Sequence, residues 1–289
     1  MPDFHQLAQV LAAGLTNGAI YALVALGFSL VFSVSGFLNL VQGEFVVLSG
    51  LLTVALTEWF GVPLIPAIAS AIAGCVLFGA VFQRLTLSPD RRLSADAALM
   101  VTVGGAFVAR GVAMVLFGRE PLSLPSFSGE RPIFIADVAI ATQSIWIFAA
   151  LLVTTVTLWW FFEKTYVGKA MQACAQNPNG ASLVGIELNR IAMISFVVSA
   201  ILGAIAGAVA APLNFVSFDE GLSVSIKGFI AAVIGGLGSY PGSVAGGLVL
   251  GVAEALGAAF ISSEFKDVIS FVALLVLLLF RPNGIFRRA

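Results

Sequence analysis

Few residues in this 289-residue chain could do chemistry, and the types that are missing narrow the field. The sole histidine is His5, and the two cysteines, Cys75 and Cys174, are isolated, so no metal-ligand cluster is spelled out. A Ser–His–Asp arrangement would have to recruit His5, which precedes the first long apolar run. The phosphate loop G-x-x-x-x-G-K-[ST] does not occur, so the chain does not bind ATP through that motif. Three charges instead interrupt apolar sequence: Glu44, Arg110 and Glu254. A proton-coupled carrier working alone would be expected to place several acids at such depth, and only Glu44 and Glu254 qualify. The chemistry on offer is hydrogen bonding and ion pairing along a pathway that lacks its own engine.

The elements that position these residues belong in a membrane. The chain is 60% hydrophobic and 10% charged, with a mean hydropathy of +1.06, whereas a soluble domain carries about 25% charged residues. Charge-free runs cover Phe4–Gly43, Trp59–Gln83, Val138–Phe162, Ile191–Phe218 and Gly228–Ala253, each long enough for a spanning helix of about 20 residues. The expected fold is an all-α polytopic membrane protein. It forms one transmembrane domain over residues 1–289, with about eight transmembrane segments. The first ten residues hold no Lys or Arg, so no cleavable signal peptide is expected. Cys75 falls in a span and Cys174 in a polar loop, so no disulfide joins them; Cys174 should be open to a membrane-impermeant maleimide from the cytoplasm.

In order, the first span is expected over about 9–32, with Gly14 and Gly18 in the G-x-x-x-G spacing of close helix packing. The second, about 37–57, carries Asn39, Gln42, Gly43, Ser49, Gly50, Thr53 and Thr57 on one face at helical periodicity. That face lines either a helix seam or a watery path, and Glu44 points away from it toward another helix. Spans follow at about 62–82, opened by Pro63 and Pro66, and at about 97–117, where Arg110 is expected to snorkel to an interface. A partner such as Glu44 is the alternative. After a mixed loop at 118–141 come spans at about 142–162 and 191–212, the latter with Gly203 and Gly207 at G-x-x-x-G spacing. A loop at 213–227 bears Asp219 and Glu220. The last span is about 268–280.

Lys and Arg counts orient the chain. The segments 83–96, 163–190 and 281–289 each hold three of the 14 basic residues, and should be cytoplasmic together, with the N-terminus outside. Segment 227–261 must then leave the outer face and return to it. The 36 residues from Lys227 to Ser262 would make a single helix about 54 Å long, too long for an about 30 Å core. Gly235, Gly236, Gly238, Pro241 and Gly242 are expected to break it into a short helix, a glycine-rich turn and a longer returning helix. Irregular backbone at that depth must be covered by protein or line a cavity, which makes Gly235, Gly236 and Gly238 candidates for a path or an interface. Glu254 on the returning helix needs a partner that the sequence does not name.

Four motifs in order resemble one family. F-L-N-L-V-Q-G-E-F-V-V-L-S-G (Phe37–Gly50) looks like the I-N-F-A-H-G-E-x-x-M-L-G signature of bacterial branched-chain amino-acid ABC permeases. A-C-A-Q-N-P-N-G-A-S-L-V-G-I-E-L-N-R (Ala173–Arg190) resembles their cytoplasmic loop. Ile234–Leu256 matches their glycine-rich segment, and Ser262–Phe271 with R-P-N-G-I-F (Arg281–Phe286) matches their C-terminal end. The chain resembles the first of the two paired permease subunits.

The resemblance implies an inner-membrane importer and not an enzyme: ATP is used by partner subunits, and this chain binds no cofactor or metal. Its implied partners are a second permease subunit, two cytoplasmic ATP-binding subunits, a periplasmic substrate-binding protein and the lipid bilayer, with no nucleic acid. Asn39, Gln42, Gly43, Glu44, Ser49 and Thr53 would then help line the translocation path. The loop 163–190 would hold a coupling helix at Pro178–Gly185, seated on an ATPase. Asn177 suits an N-cap, Pro178 a first-turn position and Gly185 a stop; Ala181, Leu183, Val184 and Ile186 are the expected contacts. One departure is Gln42, where the family signature has histidine: glutamine hydrogen-bonds but does not titrate near neutral pH. The implied cargo is a branched-chain or related hydrophobic amino acid. Urea, a short amide or another amino acid carried by the same machinery is the alternative, and an ion-coupled secondary carrier or a membrane scaffold without transport is the reading of a different class.

Overall fold

The computed structural model describes residues 4–87, 94–129, 131–135, 138–214, 216–260, 262, 266–281 and 284–286. Arg91 and Arg92 of the first basic loop, Ser263–Phe265 of the C-terminal motif, Pro282, Asn283, Arg287 and Arg288 lie outside the described residues. The helices are α1 (Phe4–Ser35), α2 (Gln42–Glu58), α3 (Leu64–Thr86), α4 (Ala95–Phe117), α5 (Thr142–Lys164), α6 (Tyr166–Gln176), α7 (Pro178–Leu183), α8 (Leu188–Ala210), α9 (Gly221–Gly235), α10 (Tyr240–Phe260) and α11 (Lys266–Phe280). Of these, α1, α3, α4, α5, α8 and α10 are long and apolar enough to cross a membrane, and α9 and α11 are shorter apolar helices. The chain is an all-α polytopic membrane protein.

The core forms around α1. Ala19, Ala22, Leu23, Val24, Ala25, Leu26 and Leu30 are all buried, as befits a helix apolar on every side. Without a hydrophobic drive inside lipid, helices associate through close packing of small residues, and both glycine pairs do this. A Cβ at Gly18 would lie 2.8 Å from Gly247 O, and one at Gly251 would lie 2.3 Å from Gly18 N, so α1 and α10 meet backbone to backbone. On the second seam a Cβ at Gly207 would lie 2.0 Å from Val46 O, bringing α8 against α2. The outward faces of α3, α4, α5 and α11 expose Leu77, Met100, Val108, Leu152, Val153 and Leu279. Trp59, against Phe117 at 6.1 Å, and Trp146 mark one membrane interface, and Trp159 and Trp160 the other, in the manner of aromatic belts.

Four expectations change. First, α2 begins at Gln42 and not at Phe37: Gly36 takes φ 73, and Asn39 Oδ1 accepts from Val41 N at 3.2 Å. Asn39 therefore precedes the helix instead of sharing its face. Second, the loop 118–141 holds an antiparallel hairpin, β1 (Ile133–Ile135) with β2 (Val138–Ile140), and Leu122 pairs with Val216. Third, α9 starts at Gly221, so Lys227 is a helix residue and not the end of a loop. Fourth, Gly235 and Gly242 lie inside helices, and only Gly236 and Gly238, at φ 99 and 84, turn the chain between α9 and α10. The C-terminal tail covers that turn. Ile285 N donates to Ile234 O at 3.0 Å and Phe286 N to Gly235 O at 3.2 Å, which satisfies carbonyls that a helix end leaves open.

Candidate functional site

The polar residues of α2 are brought together, but facing neighbouring helices of the same chain. Gln42 Nε2 donates to Ser199 O at 3.1 Å while its Oε1 accepts from Ser199 Oγ. Gly43 N donates to Ser225 Oγ at 2.8 Å, and that hydroxyl donates to Leu40 O at 2.7 Å. Ser49 Oγ donates to Ala204 O at 2.7 Å, and Thr53 Oγ1 to its own Ser49 O at 2.7 Å. Asn39, Gln42, Ser49 and Thr53 are buried. Of the two roles left open for this face, the helix seam with α8 and α9 is the one these bonds build.

Glu44 does point elsewhere, and its partner is Arg110, with Nη2 3.7 Å from Oε1. Arg110 thus turns inward instead of snorkelling, because leaving Glu44 alone in the packed interior would cost far more than pairing it. The pair is loose: neither Glu44 oxygen nor Arg110 Nε has a hydrogen-bond partner among the described residues. The first turn of α9 presses on this site. A Cβ at Gly221 would lie 2.2 Å from Glu44 Oε1, and one at Gly43 would lie 1.9 Å from Gly221 O.

Glu254 finds three partners, none named by the sequence. Tyr21 Oη donates to its Oε2 at 2.8 Å, Ser270 Oγ donates to its Oε1, and Lys227 Nζ lies 3.5 Å from Oε1. Lys227 also sits 5.7 Å over the Tyr21 ring, a cation–π arrangement. The cluster ties α1, α9, α10 and α11 together. One signal was present: Tyr21 is three residues past Gly18 and Glu254 three past Gly251, so each continues a glycine stripe at helical spacing. Beside it opens a cavity of about 430 Å³ that Asn17, Tyr21, Asn214, Glu220, Ser223 and Lys227 line with polar groups. Partial burial, with the Asp219 carboxylate beside it, raises the Glu220 carboxyl, and Lys227 draws it back down.

The polar loop is built as two capped helices. Thr165 Oγ1 accepts from Gly168 N at 3.0 Å to start α6, and Asn177 Oδ1 accepts from Gly180 N at 2.9 Å to start α7, with Pro178 at its head. Helix α7 ends at Leu183, not Gly185. Gly185, at φ 86, makes the stop, with its N–H to Ser182 O at 3.1 Å and Ile186 N–H to Ala181 O at 3.0 Å. The four expected contacts split. Ala181 is buried and Ile186 packs on the core, whereas Leu183 is 88% exposed and Val184 77%. Cys174 is buried as well, and burial raises its thiol, so it is a poor target for maleimide, contrary to expectation. A link unseen in the sequence joins the end of α5, just before this loop, to the start of α10, just after the glycine turn: Tyr240 stacks on Phe162 at 4.3 Å and 16°.

Comparison with known proteins places this architecture. Residues 10–279 match the model of the family described as branched-chain amino acid transport system / permease component. The chain is similar to the high-affinity branched-chain amino acid transport system permease protein LivH of Escherichia coli, 32% identical over 99% of this chain and 97% of the relative. It is likewise similar to the permease protein BraD of Pseudomonas aeruginosa, 32% identical over 100% of this chain and 98% of that one. Among solved structures, PsaBC from Streptococcus pneumoniae in complex with Fab shares the fold, with a TM-score of 0.52 and 14% identity over 94% of this chain and 91% of that chain.

Proposed function

The chain belongs to the permease-component family of branched-chain amino acid transport systems, and from that premise we propose that it forms half of the path of an ATP-driven importer of branched-chain amino acids in a bacterial inner membrane. A second permease completes the path, a periplasmic binding protein delivers the cargo, and two cytoplasmic ATPases drive it. ATP is hydrolysed on those partners, and this chain catalyses no reaction. The N-terminus lies outside and the loop 163–190 inside.

The observation that carries this reading is the pair Leu183 and Val184. They stand 88% and 77% exposed at the tip of a capped helix that Ala181 pins to the core. Large apolar side chains held out on a capped helix that is pinned to the core fit a partner's groove. On this reading, motion of the ATPases reaches the membrane through Phe162 and Tyr240 to the turn at Gly236 and Gly238. The path residues would follow that motion, with the α2 seam at Gln42, Gly43, Glu44, Ser49 and Thr53 as the surface that α8 and α9 shift against.

Leu183→Asp is expected to abolish co-purification of the ATPase subunits while leaving the permease folded. In the same position, Leu183→Cys should react with an impermeant maleimide in inside-out vesicles stripped of the ATPase subunits and stay silent in spheroplasts. An intact, transporting Leu183→Asp complex would remove the coupling assignment, and labelling in spheroplasts would reverse the orientation.

A further inference from the structure

The cavity beside Glu254 combines features that the path reading leaves unused. Along α9 and its N-cap it is lined by the acid Glu220, Val224 and the cation Lys227, and from α1 and α2 by Ile20, Val46 and Val47. Its volume of about 430 Å³ falls in the about 300–1,000 Å³ range of small-molecule sites. Asn214 and Val216 also line it, and Val216 pairs with Leu122 of the loop 118–141, so the lining extends from the partner of that loop to Lys227 on α9. Tyr21 and Ser270 hold the Glu254 carboxylate independently of Lys227. An ammonium has three donors, so Lys227 can engage a second anion without stripping Glu254 of its hydrogen bonds.

We propose that this cavity is a cargo subsite within the membrane for a zwitterionic amino acid with an aliphatic side chain. Lys227 receives the α-carboxylate, Glu220 receives the α-ammonium, and the aliphatic wall takes the side chain. The inference rests on the amino-acid reading above. It gives the permease a selectivity of its own, distinct from that of the delivering binding protein: a cargo lacking either charge forgoes one of the two charge-assisted contacts.

Saturation-transfer difference NMR on the purified importer without its binding protein tests this, with L-leucine, leucinamide and 4-methylpentanoate as probes. Leucine should bind, and leucinamide, which lacks the carboxylate, should bind about tenfold more weakly, as for loss of one charge-assisted contact. Lys227→Gln should weaken leucine by about the same factor. Glu220→Gln, at an exposed position that threatens no packing, should weaken leucine but leave 4-methylpentanoate, which has no ammonium, unchanged. Lys227→Arg should retain leucine binding and guards against a folding defect. Leucine binding that is absent, or unchanged in both neutral variants, would overturn the subsite. ATP-driven leucine uptake by the wild-type assembly separates the two claims: if uptake persists while binding ignores these residues, only the subsite falls. If the assembly imports no amino acid, both fall.

Discussion

Glu44 and Glu254 are both carboxylates buried among helices, and their surroundings differ in kind. Glu254 accepts from Tyr21 and Ser270 and pairs with Lys227 at 3.5 Å, joining four helices. Glu44 has Arg110 at 3.7 Å and no hydrogen bond on either oxygen among the described residues. A buried ion pair contributes through geometry and saturation of its lone pairs; without these, desolvation cancels much of the attraction. The first carboxylate is therefore a staple. The second is a loose pair at the close approach of α2 and α9, where Gly43 and Gly221 touch backbone to backbone. The first belongs to a frame around α1 and α10, and the second to a seam whose charged pair is not fixed by hydrogen bonds.

The contrast can be broken most forcefully at the staple. Glu254→Ala removes the carboxylate that Tyr21, Ser270 and Lys227 share and should destabilise the chain by about 3–5 kcal/mol, read as a large drop in thermal midpoint of the detergent-solubilised protein. The same change in charge at the loose pair should do far less. Glu44→Gln removes no hydrogen bond, and Arg110, 21% exposed at its side chain, can turn outward, so a cost of about 1 kcal/mol or less is expected. Equal losses in the two variants would end the distinction between frame and seam.

Much of this was legible in the residues. Apolar runs placed the spanning helices within a few positions, because twenty apolar residues have few other options. Gly14, Gly18, Gly203 and Gly207 marked the two backbone seams, and the length of 227–261 required the break between α9 and α10. What escaped detection depends on which segments meet. No local spacing says that Arg110 reaches Glu44 or that Lys227 lies against Glu254; those pairings are fixed by the crossing of helices far apart in sequence. The late start of α2 has the same origin, since Leu40 N bonds to Thr102 Oγ1 of α4 at 3.3 Å, a contact with a distant helix in the turn where periodicity alone would continue the helix. At α7, the residues named the cap, the proline and the stop, but could not tell that Ala181 faces inward while Leu183 faces out.

If this chain is a driven pathway, its transport depends on an engine supplied by other subunits. Uptake of radiolabelled leucine into proteoliposomes tests it most directly, comparing this chain alone with the full assembly of both permeases, both ATPases and the binding protein. Uptake is expected only by the full assembly, only with ATP and only with the binding protein present. Uptake by the isolated chain along an imposed ion gradient would contradict it.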